Sequence, residues 1–119
     1  MFSSSTSFAE WTKVGENVVG DTVFYVDVER IRKHDGYVYW WELSDWLEPD
    51  EYGTMSGKVY KQGDCKKFRY KWLSGTLHKG PMGGGIVSET SNTPDKEWKY
   101  PPPDSSGEIV LKVVCQYAR

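Results

Sequence analysis

The sequence predicts an α+β fold, a single domain in which an antiparallel β-sheet carries a C-terminal helix tethered by a disulfide. Three observations support this prediction. Aromatic and β-branched residues alternate with polar ones along much of the chain, a helix-start signal precedes the last segment, and cysteines stand at positions 65 and 115. The 119 residues, 38% hydrophobic and 27% charged, suit one compact core.

The first strands are predicted early in the chain. Residues 22–26 form a β-branched and aromatic run, and residues 27–31 suit either one helical turn or a continuation of that strand. Asp35 and Gly36 then indicate a tight hairpin turn, because glycine tolerates the positive φ that such a turn requires. Residues 37–43 are predicted to be the returning strand.

The middle of the chain predicts two further strands. Residues 44–57 contain proline, glycine and acidic side chains and are predicted to form a loop. An extended pattern resumes at residues 58–61 and is interrupted at residues 62–64. Aromatic and basic side chains then alternate over residues 66–72, which indicates a half-buried strand with a solvated row on one side: Lys67, Arg69 and Lys71.

A long irregular segment is predicted between residues 78 and 103. It contains glycines at 83–85 and prolines at 101–103, with few apolar residues to fix it. We expect a functional or mobile loop, anchored by Trp98 and Tyr100. The glycine cluster lacks the Gly-Lys-Ser/Thr ending of a phosphate-binding loop.

The last element is predicted to be a helix. Ser105 and Glu108 have the spacing of a capping box. The apolar residues that follow recur toward one side of a helix: Val110, Leu111, Val114 and Cys115. The β-branched content of this segment favours a strand instead, but the capping signal and the spacing together favour the helix.

The two cysteines, Cys65 and Cys115, suggest one disulfide, because an even count in a small chain with signs of export is typical of such bonds. Closing a loop of about fifty residues would add roughly 4 kcal/mol of stability. Two buried free thiols are the alternative. A zinc site is disfavoured, because His34 and His78 are scattered and lack paired ligand spacing. Since Cys65 has the strand parity of the basic side chains, reaching Cys115 requires an irregularity near residues 63–64, or a helix on the basic side.

Residues 1–9 are predicted to be the remnant of a signal peptide, since Ser7 and Ala9 are small residues at the two positions that a signal peptidase inspects. A frayed, disordered polar tail is the alternative. The domain then spans residues 10–119.

The formal net charge of -2 lacks the basic signature of a nucleic-acid-binding protein, so no nucleic-acid partner is expected. No apolar run approaches the roughly 18 to 20 residues that cross a bilayer, so no transmembrane span is expected.

Several short motifs occur in a fixed order along the chain. They are Trp11, Phe24-Tyr25-Val26-Asp27 followed by Ile31, Tyr39-Trp40-Trp41-Glu42-Leu43, Ser56, Asp64-Cys65, Trp98 and Val113-Val114-Cys115. From about Trp11 to Cys115, the chain resembles the surface-adhesin protein E family of Gram-negative bacteria. The resemblance implies an exported protein with an antiparallel sheet and a C-terminal helix held to it by a disulfide. Some family members bind host extracellular-matrix and plasma proteins at the cell surface, so the resemblance also implies a protein partner of this type.

The strand predicted at residues 37–43 is apolar on both faces. Tyr37, Tyr39, Trp41 and Leu43 share one face, and Val38, Trp40 and Glu42 share the other. One face suits the core beneath the helix, and the other must meet a second sheet layer, the partner in a homodimer or a ligand. The candidate binding residues are Tyr39, Trp40, Trp46, Arg69 and Lys71.

These observations predict an exported, non-enzymatic protein that binds a macromolecular partner or itself through an aromatic-rich sheet surface. The alternative is a periplasmic or envelope protein that binds a small or polyanionic ligand, which the basic and aromatic alternation at residues 66–72 suggests. We expect a periplasmic, outer-membrane-associated or secreted location. No enzymatic activity, cofactor or metal is expected, because the acidic residues cluster in turns and no Ser-His-Asp or Cys-His arrangement is suggested.

Overall fold

The computed structural model describes residues 10–17 and 19–118, which form a seven-stranded antiparallel sheet and a C-terminal helix. This architecture confirms the predicted fold class. The strands are β1 (Thr12–Glu16), β2 (Thr22–Val26), β3 (Arg32–His34), β4 (Tyr37–Trp46), β5 (Ser56–Asp64), β6 (Arg69–His78) and β7 (Val87–Ser91), and the helix is α1 (Ser106–Tyr117). The expected signal-peptide remnant at residues 1–9 lies outside the described residues.

The strands follow the order β1-β2-β4-β5-β6-β7, and β3 also pairs with β4. β2 and β3 pair along the same edge of β4, where Val26 lies opposite Glu42 and Arg32 lies opposite Tyr39. A single turn of 3₁₀ helix, Val28–Arg30, separates the two strands. This turn is one of the two alternatives that the sequence offers for the segment.

The predicted hairpin turn between β3 and β4 is confirmed. Asp35 and Gly36 have φ angles of 50° and 84°, and tight two-residue hairpins favour positive φ at both positions. The next loop is shorter than predicted, because β4 extends further and β5 begins earlier than the sequence indicates. Residues 47–55 form this loop, in place of the predicted 44–57.

β5 runs without a break through residues 62–64, where the sequence predicts an interruption. Gly63 explains the difference. A Cβ atom at this position would lie 2.8 Å from Cζ3 of Trp40 and 3.0 Å from Cδ1 of Leu111. The glycine is therefore needed for close packing of the helix on the sheet, and it does not end the strand.

The segment from residue 78 to residue 103 is more regular than the sequence predicts. β7 pairs antiparallel with the end of β6, and further along, Lys99 exchanges backbone hydrogen bonds of 2.9 Å with Tyr70. The sequence gives no signal for β7, because its side chains are mostly polar and exposed and show no apolar alternation. Its place in the sheet comes from backbone pairing with a neighbouring strand.

The predicted capping box begins α1. The Ser105 hydroxyl accepts a hydrogen bond of 3.2 Å from the backbone N–H of Glu108, and the Glu108 carboxylate accepts one of 3.0 Å from the backbone N–H of Asp104. These contacts satisfy backbone donors that have no partner within the helix. The helix is thus confirmed over the strand, although the segment is rich in β-branched residues.

The core lies between α1 and the sheet. Its buried members are Val26, Val38, Trp40, Val110, Leu111 and Val114. The Trp40 side chain is only 1% exposed, and its indole Nε1 donates a hydrogen bond of 3.0 Å to Glu42. Glu42 also pairs with Lys61 at 3.1 Å. The burial of Trp40 corrects the expectation that it contacts a partner, because α1 covers the face of β4 from which the Trp40 side chain projects.

Cys65 and Cys115 form the predicted disulfide, which links the turn between β5 and β6 to the last part of α1. Cys65 belongs to the four-residue turn 65–68 and not to a strand. Strand parity therefore does not decide where its side chain points, and the conflict that the sequence raises disappears. Phe68 ends the turn with a φ of 51° and packs against the core.

Asp64 holds this turn in place. Its carboxylate accepts hydrogen bonds from the backbone N–H groups of Lys66 (3.1 Å) and Lys67 (3.2 Å), and from Nε of Arg69 (2.9 Å). Burial raises the pKa of Asp64, but these hydrogen bonds and the charge of Arg69 outweigh it, so the pKa lies below its usual value. The Asp64 carboxylate thus fixes the chain on both sides of Cys65.

Removing the disulfide should destabilise the protein. The two cysteines are 50 residues apart, and the chain-entropy model gives about 4 kcal/mol for a loop of that size. We expect the double variant Cys65→Ala/Cys115→Ala to unfold at a lower urea concentration than the oxidised wild type. Reductant should lower the wild-type midpoint and leave that of the variant unchanged. Equal midpoints for the variant and the oxidised wild type would contradict a stabilising tether.

Candidate binding surface

α1 packs on one face of the sheet, and the described ranges 10–17 and 19–118 supply no second layer for the opposite face, which we call the outer face. Side chains alternate along a strand, so the inward position of Trp40 directs Tyr39 and Trp41 to the outer face. Tyr60 on β5 joins them, because it pairs opposite Trp41. All three outer side chains are half-buried.

Five aromatic residues on the outer face form what we call the aromatic row: Tyr37, Tyr39, Trp41, Tyr60 and Trp98. The ring of Tyr60 lies between two others, with centroid distances of 4.9 Å to Trp41 and 6.2 Å to Tyr39. Tyr37 lies 5.4 Å from Trp98, which reaches the sheet from the segment after β7. Aromatic pairs at these distances stabilise one another, so the rings have little freedom to rearrange.

Cationic side chains flank the aromatic row. The guanidinium of Arg69 lies 4.3 Å and the ammonium of Lys71 lies 4.8 Å from the ring centroid of Trp98. Arg69 is also paired with Asp64 at 2.9 Å. Within the part of the chain that the structure describes, neither Lys71 nor Arg32 has a carboxylate oxygen within 4.0 Å. The row therefore carries positive charge that its own neighbours do not neutralise.

The structure brings together three of the predicted binding residues, Tyr39, Arg69 and Lys71, on the outer face. Trp46 lies on the other face, beyond the area that α1 covers. Trp40 is in the core. The sequence-based choice fails for Trp40, because each face of β4 is rich in aromatic residues and the pattern does not show which face meets the helix.

Sequence reasoning missed three members of the outer face. Tyr60 follows from the register of β5 against β4, which a single sequence does not show. Trp98 lies far along the chain from its neighbours, and the sequence identifies it only as an anchor of a loop. Arg32 belongs to a three-residue strand, where alternation has too few positions to be recognised.

The glycine-rich loop at residues 79–86 covers one end of the outer face. The Ser56 hydroxyl donates a hydrogen bond of 2.7 Å to the Gly80 carbonyl and accepts one of 2.8 Å from the backbone N–H of Gly83. Leu43 is fully buried, and a Cβ atom added to Gly83 would lie 3.5 Å from its Cδ1. The loop thus packs on its own sheet and leaves the aromatic row uncovered.

His78 is buried beneath this loop and is 4% exposed. Its Nε2 lies 2.8 Å from the Thr76 hydroxyl, and its Nδ1 has no hydrogen-bond partner among the described residues. Burial lowers the pKa of His78 below its ordinary value, and the positive charge of Lys58 lowers it further, while the Gly84 backbone acts in the opposite direction. The neutral imidazole is the form that suits this site.

The stability of the protein should fall at mildly acidic pH because of His78. The unfolded chain, with a histidine pKa of about 6.5, binds a proton before the folded one does, so the free energy of unfolding decreases below that pH until the folded-state pKa is reached. His78→Gln should flatten this decrease, whereas His34→Gln, at an exposed position, should not. Urea unfolding between about pH 5 and pH 8 measures how the free energy of unfolding of each protein changes with pH. A decrease of the same size in wild type and His78→Gln would contradict the assignment.

The outer face is a surface and not an enclosed site. Its shallow depression beside Arg32, His34 and Tyr60 has a volume of about 410 Å³. Among the described residues, no three or more His, Cys, Asp or Glu side chains are grouped so as to hold a metal ion. No helix in the same part of the chain is long and apolar enough to cross a membrane. A sheet that carries a tethered helix on one face and displays aromatic and cationic side chains on the other defines a binding module.

The chain belongs to the surface-adhesin protein E family, whose model matches residues 11–116. This family consists of surface or exported proteins, and membership implies a binding role.

Solved structures of Haemophilus influenzae protein E have the same fold. Crystal form II matches with a TM-score of 0.64 and 13% identity over 93% of this chain and 91% of that chain. A second structure gives a TM-score of 0.63 and 14% identity over 93% and 87%. Protein E from a non-typeable strain gives 0.62 and 14% over 97% and 84%. At such low identity the likeness supports the fold alone. A search of curated protein sequences found no match.

Adjacent tryptophans on β4 should respond very differently to truncation. Trp40→Ala removes a buried core residue and should cost about 3–5 kcal/mol of unfolding free energy. Trp41→Ala removes a half-buried ring that packs at a tilt against Tyr60 and should cost about 1 kcal/mol. Urea denaturation of the two variants measures the difference. A larger loss for Trp41→Ala than for Trp40→Ala would mean that the two faces are assigned the wrong way round.

Proposed function

We propose that this protein is an exported, non-enzymatic binding protein that contacts a macromolecular partner through its outer face. The partner is a host protein of the extracellular-matrix type. The observation that carries this proposal is the aromatic row, which is half-buried and lies beside cations that its neighbours leave unpaired. Membership of the surface-adhesin protein E family supports it.

The chemistry of the aromatic row suits contact with a protein. Tyrosine and tryptophan combine a large apolar area with a polar group, and they are enriched in protein interfaces together with arginine. The Tyr39 hydroxyl already accepts a hydrogen bond of 3.0 Å from Gln62, and the Tyr60 ring is stacked on Tyr39 and packs at a tilt against Trp41. Rings held in this way lose little conformational entropy on binding, which favours affinity.

The unpaired charges of Lys71 and Arg32 favour an acidic region on the partner. The same charges support a second candidate function, in which the outer face binds a polyanionic ligand. Salt separates the two, because binding held by exposed charges weakens strongly with ionic strength, whereas burial of aromatic rings does not. We favour the protein partner, because the aromatic row has five aromatic side chains, against two flanking cations, Lys71 and Arg32, that lack a carboxylate partner among the described residues.

We propose a periplasmic, outer-membrane-associated or secreted location. The disulfide between Cys65 and Cys115 supports it, because such bonds persist in oxidising compartments and are rare in the reducing cytosol. Self-association through the outer face is the other form of the proposal, since a second copy can also cover an exposed apolar surface.

Surface plasmon resonance against a panel of immobilised extracellular-matrix and plasma proteins tests the binding role. Trp41→Ala should weaken binding to a panel protein about thirtyfold, as loss of a central aromatic contact does. Lys71→Ala should weaken it about threefold to fivefold, as loss of a charge at the rim does. Lys112→Ala, an exposed change on α1, is the matched control and should bind like the wild type.

Sedimentation of the same variants tests self-association. If copies pair through the outer face, Trp41→Ala should shift the wild-type oligomer to monomer and Lys112→Ala should not. A wild type that is monomeric at high concentration and binds no panel protein would contradict the proposal. Equal binding by wild type and Trp41→Ala would exclude the outer face as the contact surface.

A further inference from the structure

A second aromatic site lies on the opposite side of the sheet from the outer face. α1 packs over β1, β2 and the inward residues of β4 near Trp40, and it leaves the same face uncovered toward β7. There the structure contains a groove of about 270 Å³, which we call the tryptophan groove. Its main lining residues are Trp46, Gly57, Val59, Trp72, Gly75 and Leu77.

Two glycines position the indoles of the groove. A Cβ atom at Gly57 would lie 3.4 Å from Cη2 of Trp46, and one at Gly75 would lie 3.0 Å from Cζ2 of Trp72. Each indole therefore packs directly against the backbone of a glycine, where no side chain intervenes. Val59 pairs opposite Gly75, so the two glycines are diagonal neighbours, which places them about 7–8 Å apart. Both indoles thus line one slot, and the side chains of Val59 and Leu77 that also line it are apolar.

Trp72 is held on this face by the backbone around it. The pairing of β5 with β6 shifts register between Tyr60 and Lys61, and this irregularity gives Trp72 the same side of the sheet as Trp46. Asp95 then clamps the strand, because its carboxylate accepts a hydrogen bond of 3.0 Å from the Trp72 N–H and its own N–H donates one of 2.9 Å to the Trp72 carbonyl. The groove is therefore formed before any ligand binds.

The charge of the groove is negative. Glu89 contributes a carboxylate at the exposed rim. Lys58 also lines the groove, but its side chain extends to the outer face, where a Cβ atom at Gly83 would lie 3.1 Å from its Cδ. Lys61, the next cation on the groove side, is paired with Glu42 at 3.1 Å. Two electron-rich ring systems and one carboxylate thus share a slot into which no unpaired cation of the described residues projects.

We propose that the tryptophan groove binds a lysine or arginine side chain of a protein partner. The aliphatic stem lies in the slot between Trp46 and Trp72, the cationic group contacts the ring faces, and Glu89 pairs with it at the rim. Charge complementarity selects this occupant, because an aromatic slot beside a carboxylate favours a cation over a neutral apolar chain. The outer face, with its excess of positive charge, is then left for an acidic or apolar contact, so the two sites can act at once.

Nuclear magnetic resonance of the full chain with short peptides tests the proposal. The probe is acetyl-Gly-Gly-Arg-Gly-Gly-amide, and the matched peptide replaces arginine with norleucine, which keeps the stem and removes the charge. The arginine peptide should shift the indole N–H signals of Trp46 and Trp72 in a saturable way, and the norleucine peptide should bind about threefold to fivefold more weakly. Glu89→Gln should weaken arginine binding by a similar factor, whereas Glu29→Gln, at an exposed site elsewhere, should not.

Several results would overturn the proposal. Equal binding of the arginine and norleucine peptides would show a purely apolar groove. Shifts confined to Trp41 and Trp98 would place the cation on the outer face. Tetramethylammonium that binds as tightly as the peptide would indicate a small quaternary cation as the ligand, and no shift with any probe would show that the groove binds none of these. Glu89 lies on an exposed edge strand, so Glu89→Gln should fold like the wild type, and a loss of arginine binding by this variant would then reflect the lost charge.

Discussion

The packing of α1 on Trp40 determines which face of the sheet is left for binding. The indole of Trp40 approaches so closely over Gly63 that a single methyl group there would collide with it. Its buried N–H is satisfied by Glu42, whose charge is balanced by Lys61, so a large aromatic side chain enters the core without leaving a polar group unpaired. Once Trp40 points inward, alternation along β4 places its neighbours outward, and the aromatic row is formed.

The two faces of the sheet then differ in chemistry. On the outer face, closely packed aromatic rings lie beside Lys71 and Arg32, which have no carboxylate partner among the described residues, and Trp98 extends the row from a distant part of the chain. On the helix side, the uncovered end carries the tryptophan groove with Glu89 at its rim. The disulfide joins α1 to the turn after β5 and so fixes which part of the sheet the helix covers. The aromatic row and the tryptophan groove therefore both stay outside the covered part. One small sheet thereby presents two aromatic surfaces of opposite charge.

The elements that could be predicted from the sequence are those encoded by near neighbours. Ser105 and Glu108 signal the helix, and Asp35 with Gly36 signals the hairpin, because each depends on residues within a few positions of one another. β7 could not be predicted, because its polar side chains carry no pattern and only pairing with β6 makes it a strand. The site is half predicted for the same reason. Alternation marks Tyr39 and Trp40 as opposite, but only the long-range contact with α1 decides which of them is outward.

The position of the aromatic row therefore depends most on Trp40 being covered by α1 and Trp41 being partly exposed to solvent. Hydroxyl-radical footprinting of the dilute wild-type protein, read by mass spectrometry, measures both side chains in one experiment. We expect Trp41 and Tyr60 to be oxidised several times faster than Trp40, which is 1% exposed. Oxidation of Trp40 at the rate of Trp41 would contradict the account, because it would show that α1 does not cover the face on which the whole assignment rests.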